Sequence, residues 1–543
     1  MRQNALRFGA AVLSAVLLEL PFPIAGPMPV WRSVFAWFGL VPLLVAVLGL
    51  GDSPDCKRPF RSAFLVSYFC GFLWYMGNCY WVRDTMKRYG DMPTMAPTLL
   101  LIGFSLVLGL YFGAFGLVLM LLRRATRSVV WALAAAPVVW TALELAAARI
   151  TSVPWDQLGY SQVDNLLVNR LATWSGVYGI SFLLVVVNAF LAGGALLSSR
   201  SNRLRSAMVG SLVIVAALAG LGWHTPPAPA SATAVLVQPN LDVASDDAWA
   251  GERWNQHLDQ FVQLAVAACK PYIAGIPQTE AVTVQPDCAA PATHPDLVVW
   301  PESPAPFAEA DPRVGVGLAA VAHATGSPLV IGSIGMDYTA SEQQWHDYNS
   351  ALIVAQDGAK VGRYDKIHLV PFGEFVPFKD LLFFARKLTG RVSEFTRGSE
   401  RKVFRLNGHR YGVFICYEAV FADEVRQFAA LGAEVLVNIS DDGWYGDTSA
   451  PWQHLNMARM RAVENRRWLL RDTNNGVTAV IDPYGRVVQS IPRHVVDALP
   501  ARYGFRDDIT FYSAHGDVFA WACAILTLGL VGWALRASLL AKL

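Results

Sequence analysis

Tyr411-Gly-Val-Phe-Ile-Cys416 is a short apolar run that ends in a cysteine, and Tyr417 and Glu418 follow it directly. Short β-rich runs of this kind predict buried strands. Further runs of the same character lie at residues 234–238, 296–300, 328–333, 350–355, 434–439 and 477–481. Amphipathic segments lie between several of them, at residues 248–268, 312–325 and 452–466. This alternation predicts an α/β domain in which helices enclose sheet layers.

The chain outside this domain is much more apolar. Hydrophobic residues make up 54% of the 543 residues and charged residues only 16%, which indicates a membrane protein. A bilayer core about 30 Å thick requires roughly 20 apolar residues in a helix. Glu19, Pro21 and Pro23 interrupt the first candidate run, which also resembles a signal peptide, but no small-residue cleavage site leads into a soluble protein. We predict an eight-helix transmembrane bundle with spans at residues 8–25, 33–50, 62–82, 96–122, 129–148, 172–197, 207–223 and 518–535.

The basic residues predict the orientation of these spans, because Lys and Arg in short loops stay in the cytoplasm. Arg83, Lys87 and Arg88 dilute the signal, since they lie in a loop on the other side. The N-terminus is then cytoplasmic, and seven spans place residues 224–517 in the periplasm. The basic residues that share the cytoplasmic side are Arg2, Arg7, Lys57, Arg58, Arg61, Arg123, Arg124, Arg127, Arg200, Arg203 and Arg205.

These patterns divide the chain into three parts. Residues 1–224 form the bundle of seven spans, residues 225–510 the periplasmic domain, and residues 511–543 the last span and a cytoplasmic tail. The Pro-rich linker at 225–231 predicts a stiff exit that keeps the domain close to the bilayer. Cys269 and Cys288 lie in a stretch, 265–295, to which we assign no role; a disulfide and two free thiols are equally compatible with the sequence.

Three polar residues follow strand-like segments, where a sheet presents side chains to a substrate. They are Glu302 after Leu297-Val-Val-Trp300, Lys366 in a polar segment rich in rings, and Cys416. A thiol is a weak nucleophile at its free pKa and needs a base or a cation beside it. Glu302 is the candidate base. Lys366 is the candidate cation, and the same ammonium could stabilise the oxyanion of a tetrahedral intermediate. Glu374 would then orient Lys366 or the substrate. Singly, each residue has an ordinary structural explanation: a buried small side chain, a helix cap or a solvated lysine.

Longer motifs surround these residues and follow one another in a fixed order. They are Trp300-Pro-Glu-Ser303, Tyr364-Asp-Lys-Ile-His-Leu-Val-Pro-Phe-Gly-Glu-Phe-Val-Pro377, Ile415-Cys-Tyr-Glu418 and Asn438-Ile-Ser-Asp-Asp-Gly-Trp-Tyr445. Together they resemble the nitrilase or carbon-nitrogen hydrolase superfamily. The long lysine motif joined to eight spans is similar to the apolipoprotein N-acyltransferases within it. The resemblance covers essentially the whole chain and implies a nitrilase-like αββα sandwich on membrane helices in a bacterial inner membrane.

The resemblance implies a role for each residue of a Glu-Lys-Cys triad. Glu302 is the general base, Lys366 the transition-state stabiliser and Cys416 the nucleophile. Further active-site positions are matched by Glu374, Tyr417 and Glu418. Trp444, in the last motif, is expected either to line the cleft or to pack.

The resemblance also implies the substrates. Members of the family move an acyl chain from a phospholipid, typically phosphatidylethanolamine, through a Cys thioester to the α-amino group of a lipoprotein's diacylglyceryl cysteine. This ping-pong reaction is the last step of bacterial lipoprotein maturation and needs no cofactor. Residues 376–396, which include Phe378 and Leu381, suit a lid. The aromatic residues Trp74, Tyr75, Tyr80 and Trp81 either hold lipid tails or form an interfacial belt.

Two other classes of function compete with this one. A membrane-tethered nitrilase-like amidase would use the same triad on a small carbon-nitrogen substrate and need no lipid donor. The intact set of Glu302, Lys366 and Cys416 argues against an inactive binding module. The small number of charged residues inside the spans argues against a transporter. The net charge is only +2, and no stripe of basic residues alternates with aromatic ones, which argues against binding to nucleic acid. The spacing of the Cys and His residues argues against a metal site. A monomer is the default expectation.

Overall fold

A computed structural model of the protein describes residues 2–52, 57–89, 95–242, 252–267, 294–302, 307–341, 343–375 and 394–540. The first part of the chain is helical, and the last long helix returns to pack against it. A 3-10 helix, Val30–Trp37, precedes the second α-helix. The α-helices of this part are α1 (Arg2–Glu19), α2 (Val41–Leu48), α3 (Pro59–Asn78), α4 (Trp81–Tyr89), α5 (Met95–Thr126), α6 (Val129–Ile150), α7 (Ala172–Ser175), α8 (Val177–Leu196) and α9 (Arg200–Leu221).

Each predicted span coincides with helical structure. By length and composition, six segments of the described chain are able to cross a membrane: Val30–Leu48, α5, α6, α8, α9 and the C-terminal helix α15 (Val518–Leu540). The other two predicted spans, α1 and α3, fall short of that criterion. Polar residues reduce their apolar character, such as Arg7 in α1 and Arg61 in α3. Both helices nevertheless pack into the same bundle core.

Two predicted spans are each divided between two α-helices, which the hydropathy pattern did not show. The span at 172–197 breaks at Gly176, whose φ of +63° separates α7 from α8 and favours glycine. The span at 62–82 is divided into α3 and the polar helix α4, which carries Arg83, Lys87 and Arg88. α4 lies against the soluble domain, where the Tyr89 hydroxyl donates to the Gly443 carbonyl at 2.6 Å. The basic residues of α4 therefore lie on the side of the soluble domain. This position explains why they weakened the asymmetry of basic residues between the loops.

Small residues allow α3 and α5 to pack closely. A Cβ atom added at Gly116 would lie 2.1 Å from the Ser67 hydroxyl oxygen, and one added at Gly113 would lie 2.6 Å from the Phe64 ring. Gly71 of α3 is equally close to Phe112 of α5. Close approach through small residues is the usual way in which membrane helices gain packing energy without a hydrophobic driving force.

The bundle has a basic end and an end that carries the soluble domain. Lys57, Arg58 and the first residues of α9 lie at the basic end, together with the last turn of α5. At the opposite helix ends, the carbonyls of Pro23 and Asn78 both accept hydrogen bonds from Gln453 of the soluble domain. The soluble domain and the basic residues thus lie at opposite ends of the bundle.

Two six-stranded sheets form the soluble domain. The first has the strand order β12-β1-β2-β3-β4-β5 and the second β11-β10-β9-β8-β7-β6. The strands are β1 (Ala232–Gln238), β2 (Leu297–Val299), β3 (Leu329–Thr339), β4 (Gln344–Val354), β5 (Lys360–Asp365), β6 (Val403–Leu406), β7 (His409–Ile415), β8 (Val435–Ser440), β9 (Trp468–Thr473), β10 (Thr478–Ile481), β11 (Val487–Ile491) and β12 (Asp497–Tyr503).

Helices cover both sheets, which gives the predicted αββα order of layers. α10 (Glu252–Ala267) and α11 (Pro312–Thr325) share a core with β1, β2 and β3. Alternate residues of the same strands, such as Leu236 and Val299, face the second sheet in a central core with Val413 and Ile415. α12 (Ala422–Ala430) and α13 (Ala450–Asn465) cover the second sheet, and the short α14 (Phe511–His515) leads into α15.

α13 joins the soluble domain to the bundle. Its residues are buried on every side except at Trp452 and Asn456, which are partly buried, although many are polar. The polar side chains bond to the bundle: Arg459 to Asp164 at 2.5 Å and Arg461 to the Tyr160 hydroxyl at 2.9 Å. The domain therefore packs directly on the helices, as the short linker at 225–231 led us to expect.

Candidate active site

The structure brings Glu302 and Lys366 together at the ends of β2 and β5. The Lys366 ammonium donates to Glu302 Oε1 at 2.9 Å and to Glu374 Oε1 at 2.9 Å. Asn349, in β4, donates its side-chain amide to the same two carboxylate oxygens, at 2.7 and 2.5 Å. All four side chains are buried, with Lys366 only 1% exposed. The result is an ammonium and an amide enclosed between two carboxylates.

Backbone amides fix both carboxylates from the other side. Glu302 Oε2 accepts from the Asp441 N–H at 2.9 Å, and Glu374 Oε2 from the Val370 N–H at 2.7 Å. Burial alone would lower the pKa of Lys366, but the charges of Glu302 and Glu374 outweigh it and raise that pKa well above its usual value. Lys366 therefore remains an ammonium ion.

Cys416 follows β7 and lies in the field of these charges. Burial and the Glu302 carboxylate raise the pKa of the thiol well above its usual value, whereas the Lys366 ammonium acts in the opposite direction. The thiol is therefore protonated at rest and needs a base at the moment of attack. The backbone at Cys416 has a φ of +48°, a left-handed conformation that is costly for a residue with a Cβ atom.

Comparisons with known proteins match both parts of the chain. Two family models match: carbon-nitrogen hydrolase over residues 234–495 and apolipoprotein N-acyltransferase N-terminal domain over residues 14–190. The crystal structure of Saccharomyces cerevisiae Nit3, a member of branch 10 of the nitrilase superfamily, aligns with a TM-score of 0.35 at 18% identity, covering 51% of this chain and 93% of that chain. The apolipoprotein N-acyltransferase of Geobacter metallireducens is 33% identical over 522 residues, which cover 94% of this chain and 92% of that one. That of Azotobacter vinelandii is 32% identical over 524 residues, with 94% and 92% covered. The chain belongs to the apolipoprotein N-acyltransferase family.

Membership in the N-acyltransferase family confirms the resemblance that the motifs carried and makes the protein an acyltransferase. The nitrilase-like αββα fold is confirmed as well, because the carbon-nitrogen hydrolase model covers the strands of the two sheets from β1 to β11. The helices able to span a membrane agree with a membrane protein.

The other predicted site residues of this N-acyltransferase family member lie around the charge cluster in different ways. Glu418 bonds neither Glu302 nor Lys366 directly. One of its oxygens accepts from the Tyr364 hydroxyl at 2.8 Å and the Ile367 N–H at 2.7 Å, and the other from the Ile415 N–H at 2.7 Å. Glu418 thus ties the segment that carries Lys366 to the strand that ends at Cys416.

Tyr417 and Trp444 point toward the bundle. The Tyr417 hydroxyl donates to the Ser152 carbonyl at 3.3 Å. Trp444 is 44% exposed and packs edge to face on Tyr89 of α4, with ring centroids 5.1 Å apart. Trp444 therefore packs on α4, and its place in the cleft stays a prediction.

The aromatic residues of α3 lie inside the bundle. Trp74 and Tyr75 are buried and line a cavity with Phe112, Trp140 and Trp155. For Trp74 and Tyr75 the prediction of an interfacial belt is wrong, because the rings of such a belt face the lipid headgroups. The predicted lid residues at 376–393, and Cys269 and Cys288, lie outside the described residues.

Sequence reasoning missed several residues of the site. Asn349 was missed because it lies one residue before the predicted strand at 350–355, and nothing in the sequence marks it as a site residue. Asp442, His454 and Arg471 form a buried cluster behind Cys416, and only Asp442 belongs to a motif that was noticed. The sequence did offer one signal of this cluster, which is a charged residue next to an apolar run: Arg471 follows Trp468-Leu-Leu470 in β9.

Proposed function

We propose that this protein transfers an acyl chain from a phospholipid to the N-terminal diacylglyceryl cysteine of lipoproteins through a thioester on Cys416, the last step of lipoprotein maturation. The observation that carries the proposal is the buried Lys366 ammonium, which is held between Glu302 and Glu374 at 2.9 Å from each and whose charge acts on the Cys416 thiol. The family of the chain and its helical bundle support the lipid substrates. Phosphatidylethanolamine is the donor we propose, and a monomer the acting form.

The first half-reaction forms the thioester. Glu302 takes the proton from the Cys416 thiol as the sulfur attacks the carbonyl carbon of the phospholipid ester. The carbonyl oxygen becomes an oxyanion. The C–O bond then breaks, and the departing lysophospholipid oxygen takes the proton from Glu302.

The second half-reaction forms the amide. The neutral α-amino group of the lipoprotein attacks the thioester carbon and gives a proton to Glu302. The C–S bond breaks, and the Cys416 sulfur takes that proton back. No cofactor and no net change of the enzyme are required, and the lysophospholipid leaves before the acceptor binds.

Lys366 suits the oxyanion in both half-reactions. Its ammonium carries three hydrogens, and the contacts with Glu302 and Glu374 use two of them, which leaves the third for an oxyanion. A fixed charge in a buried site stabilises a developing oxyanion far more than the same charge in water. Glu374, which bonds Lys366 and the Val370 N–H, is the residue that we propose orients the ammonium.

We also propose that the catalytic domain is periplasmic and that the membrane is the bacterial inner membrane. The basic residues at the helix ends opposite the domain support this orientation. The division is residues 1–224 for the bundle, 225–510 for the catalytic domain and 511–543 for the last span and tail. Lipid chains cost about 0.8 kcal/mol per CH₂ to move into water, so a site packed directly on the bundle avoids that cost.

Mass spectrometry of the purified protein tests the proposal. The protein is incubated with phosphatidylethanolamine, and the Cys416 peptide is examined for a hydroxylamine-sensitive acyl adduct that a diacylglyceryl-cysteine peptide discharges. Cys416→Ala should lose the adduct. Cys523→Ala, which removes another buried thiol from α15, should keep it. A folded wild type that forms no adduct but hydrolyses small amides would support the tethered amidase instead.

A further inference from the structure

The carbonyl oxygen of Cys416 is held by a side chain from a different layer of the protein. His454 of α13 places its Nε2 3.0 Å from this oxygen. The ring is completely buried and packs against Trp155, to which it is nearly parallel, and edge to face with Tyr445. Trp155 comes from the bundle, so the ring is fixed from both halves of the molecule.

The other ring nitrogen of His454 faces a charged pair. Nδ1 lies 2.9 Å from Asp442 Oδ1 and 3.1 Å from Arg471 Nη2. Arg471 in turn donates to both Asp442 oxygens, at 2.7 and 3.0 Å. Burial and the Arg471 charge lower the pKa of His454, so the neutral ring is favoured.

The partners of the ring decide where its proton lies. A carbonyl oxygen only accepts and a guanidinium only donates. Nε2 contacts the Cys416 carbonyl, which requires a hydrogen on Nε2, whereas Nδ1 faces both an acceptor, Asp442 Oδ1, and a donor, Arg471, so the neutral ring accepts there from Arg471. A charged ring would donate from both nitrogens. In either state, His454 donates to the Cys416 carbonyl.

We infer that His454 is a positioning residue, whose Nε2 hydrogen holds the Cys416 backbone in its left-handed conformation and so aims the thiol at Glu302 and Lys366. The backbone at Cys416 is unfavourable by itself, with φ at +48°, and persists only where its surroundings fix it. The hydrogen bond from His454 is such a constraint. Without it, we expect the backbone at Cys416 to relax and the sulfur to move away from the base.

Two substitutions at this position separate the hydrogen bond from the ring. A glutamine places its amide nitrogen near the position of Nε2, whereas the amide of an asparagine reaches only the position of Nδ1. Both lose the contacts of the ring with Trp155 and Tyr445 to a similar extent. His454→Gln therefore keeps the bond to the Cys416 carbonyl, and His454→Asn loses it.

The experiment compares both variants in the full-length, detergent-solubilised protein. The first readout is the rate of Cys416 alkylation by iodoacetamide, followed by mass spectrometry with Cys416→Ala as the blank. The second is thioester formation from phosphatidylethanolamine, with kcat and KM for the donor measured separately. We expect His454→Asn to lower both rates about 100-fold with an unchanged KM, as a displaced reacting group does. His454→Gln should stay within about threefold of wild type, because the hydrogen bond is retained.

Two results would overturn the inference. One is a folded His454→Asn variant that reacts like wild type, and the other is a folded His454→Gln variant that is slowed about 100-fold. Thermal unfolding shows whether each variant is folded. If His454→Asn does not fold, the glutamine variant alone decides. The lipid readout rests on the proposed function, but the alkylation readout does not, so a wild type without an acyl adduct would refute acyl transfer while still testing His454.

Discussion

Burial lowers the pKa of Lys366 and raises that of Cys416, and the neighbouring carboxylates reverse the first effect and strengthen the second. A buried lysine tends to lose its proton, but Glu302 and Glu374 keep it charged. A buried thiol tends to keep its proton, and Glu302 strengthens that tendency. The resting site therefore holds an ammonium and a thiol. A pre-formed thiolate is not available, so the reaction depends on a base.

The first prediction at the scale of residues concerns that base. Glu302→Gln keeps a side chain that can still accept from the Asp441 N–H, but it can no longer take a proton. We expect thioester formation to fall about 1000-fold, which is the usual contribution of a general base. Glu374→Gln is the control, because it keeps Glu302 and removes the other carboxylate that contacts Lys366. Equal losses in the two variants, measured by the rate of adduct formation, would contradict the assignment of the base.

The second prediction concerns the pKa of Cys416. An exposed thiol titrates near about 8.5, so its alkylation rate levels off above that pH. Because burial and Glu302 raise the pKa of Cys416, we expect its alkylation rate still to rise above pH 9. Lys366→Met removes the charge that lowers this pKa, so the profile should move to higher pH. A shift to lower pH, or a wild-type plateau near pH 8.5, would contradict this reasoning. Lys402→Met, at an exposed lysine, should leave the profile unchanged.

At the scale of elements, strands were predictable where an apolar run stops at a polar residue. β1, β2, β7 and β8 were found this way, and so were the positions of Glu302 and Cys416 at strand ends. The prediction for β3 and β4 was too short, because their paired ends at Tyr338 and Trp345 are exposed and lack an apolar pattern.

Other strands and one helix were missed for physical reasons. β9 is buried throughout, yet it contains Arg471 and Asp472, which pair with polar groups inside the protein. β11 is largely exposed, and β12 contains Pro500. β5, β6 and α12 are short or carry charged residues, so their patterns are weak. Buried polar networks depend on contacts between distant segments, which a local pattern does not contain.

The third prediction concerns the buried polar residues of α13. Arg461 and Glu464 are 0% exposed and form an ion pair at 2.9 Å, and Glu464 also accepts from the Val177 N–H of the bundle. Arg461→Met leaves the Glu464 charge buried without its counter-charge. We expect a loss of about 3 kcal/mol of stability, seen as a lower unfolding temperature in detergent.

Lys402→Met provides the matched control for this prediction. The same kind of substitution there breaks an exposed pair with Glu400 at 3.7 Å, which contributes at most about 1 kcal/mol. The double variant Arg461→Met with Glu464→Gln should recover part of the loss, because the unpaired charge is removed. Equal unfolding temperatures for Arg461→Met and Lys402→Met would show that the buried pair does not stabilise the docking of α13.

At the scale of the whole molecule, the catalytic domain and the bundle are joined by charged contacts as well as by α13. Arg149, at the end of α6, pairs with Asp423 of α12 at 2.9 Å and with Asp517, just before α15, at 2.6 Å. Asp517 is only 5% exposed and also accepts from the Tyr512 hydroxyl. One guanidinium thus connects three segments at the boundary between the two halves.

The last prediction uses pH to test this connection. Burial raises the pKa of Asp423, but the hydrogen bonds from Arg149 and Arg426 outweigh it and hold that pKa below its usual value. A carboxyl with a lowered pKa in the folded state stabilises the protein at pH values above its unfolded pKa, near about 3.9, and loses this effect as the pH falls. Arg149→Met removes much of the effect and leaves Asp517 buried without its cation. We therefore expect an unfolding temperature roughly 5 °C lower at pH 7, with a difference that shrinks as the pH falls below about 4, where Asp423 becomes protonated in the folded protein.

Arg426→Met is the control that separates an effect on the contact between the two halves from an effect on α12 alone. Arg426 pairs with the same Asp423 at 2.7 Å within α12 and donates to the Ser513 carbonyl at 3.2 Å, so its loss leaves the Arg149 pairs with Asp423 and Asp517 in place. Its effect on the unfolding temperature should be smaller, because Asp517 keeps its cation. Adding Asp517→Asn should restore part of the stability of Arg149→Met and none of that of Arg426→Met. If the two arginine variants lose the same amount at every pH, then Arg149 stabilises only α12, and the halves are held together by α13 and apolar packing.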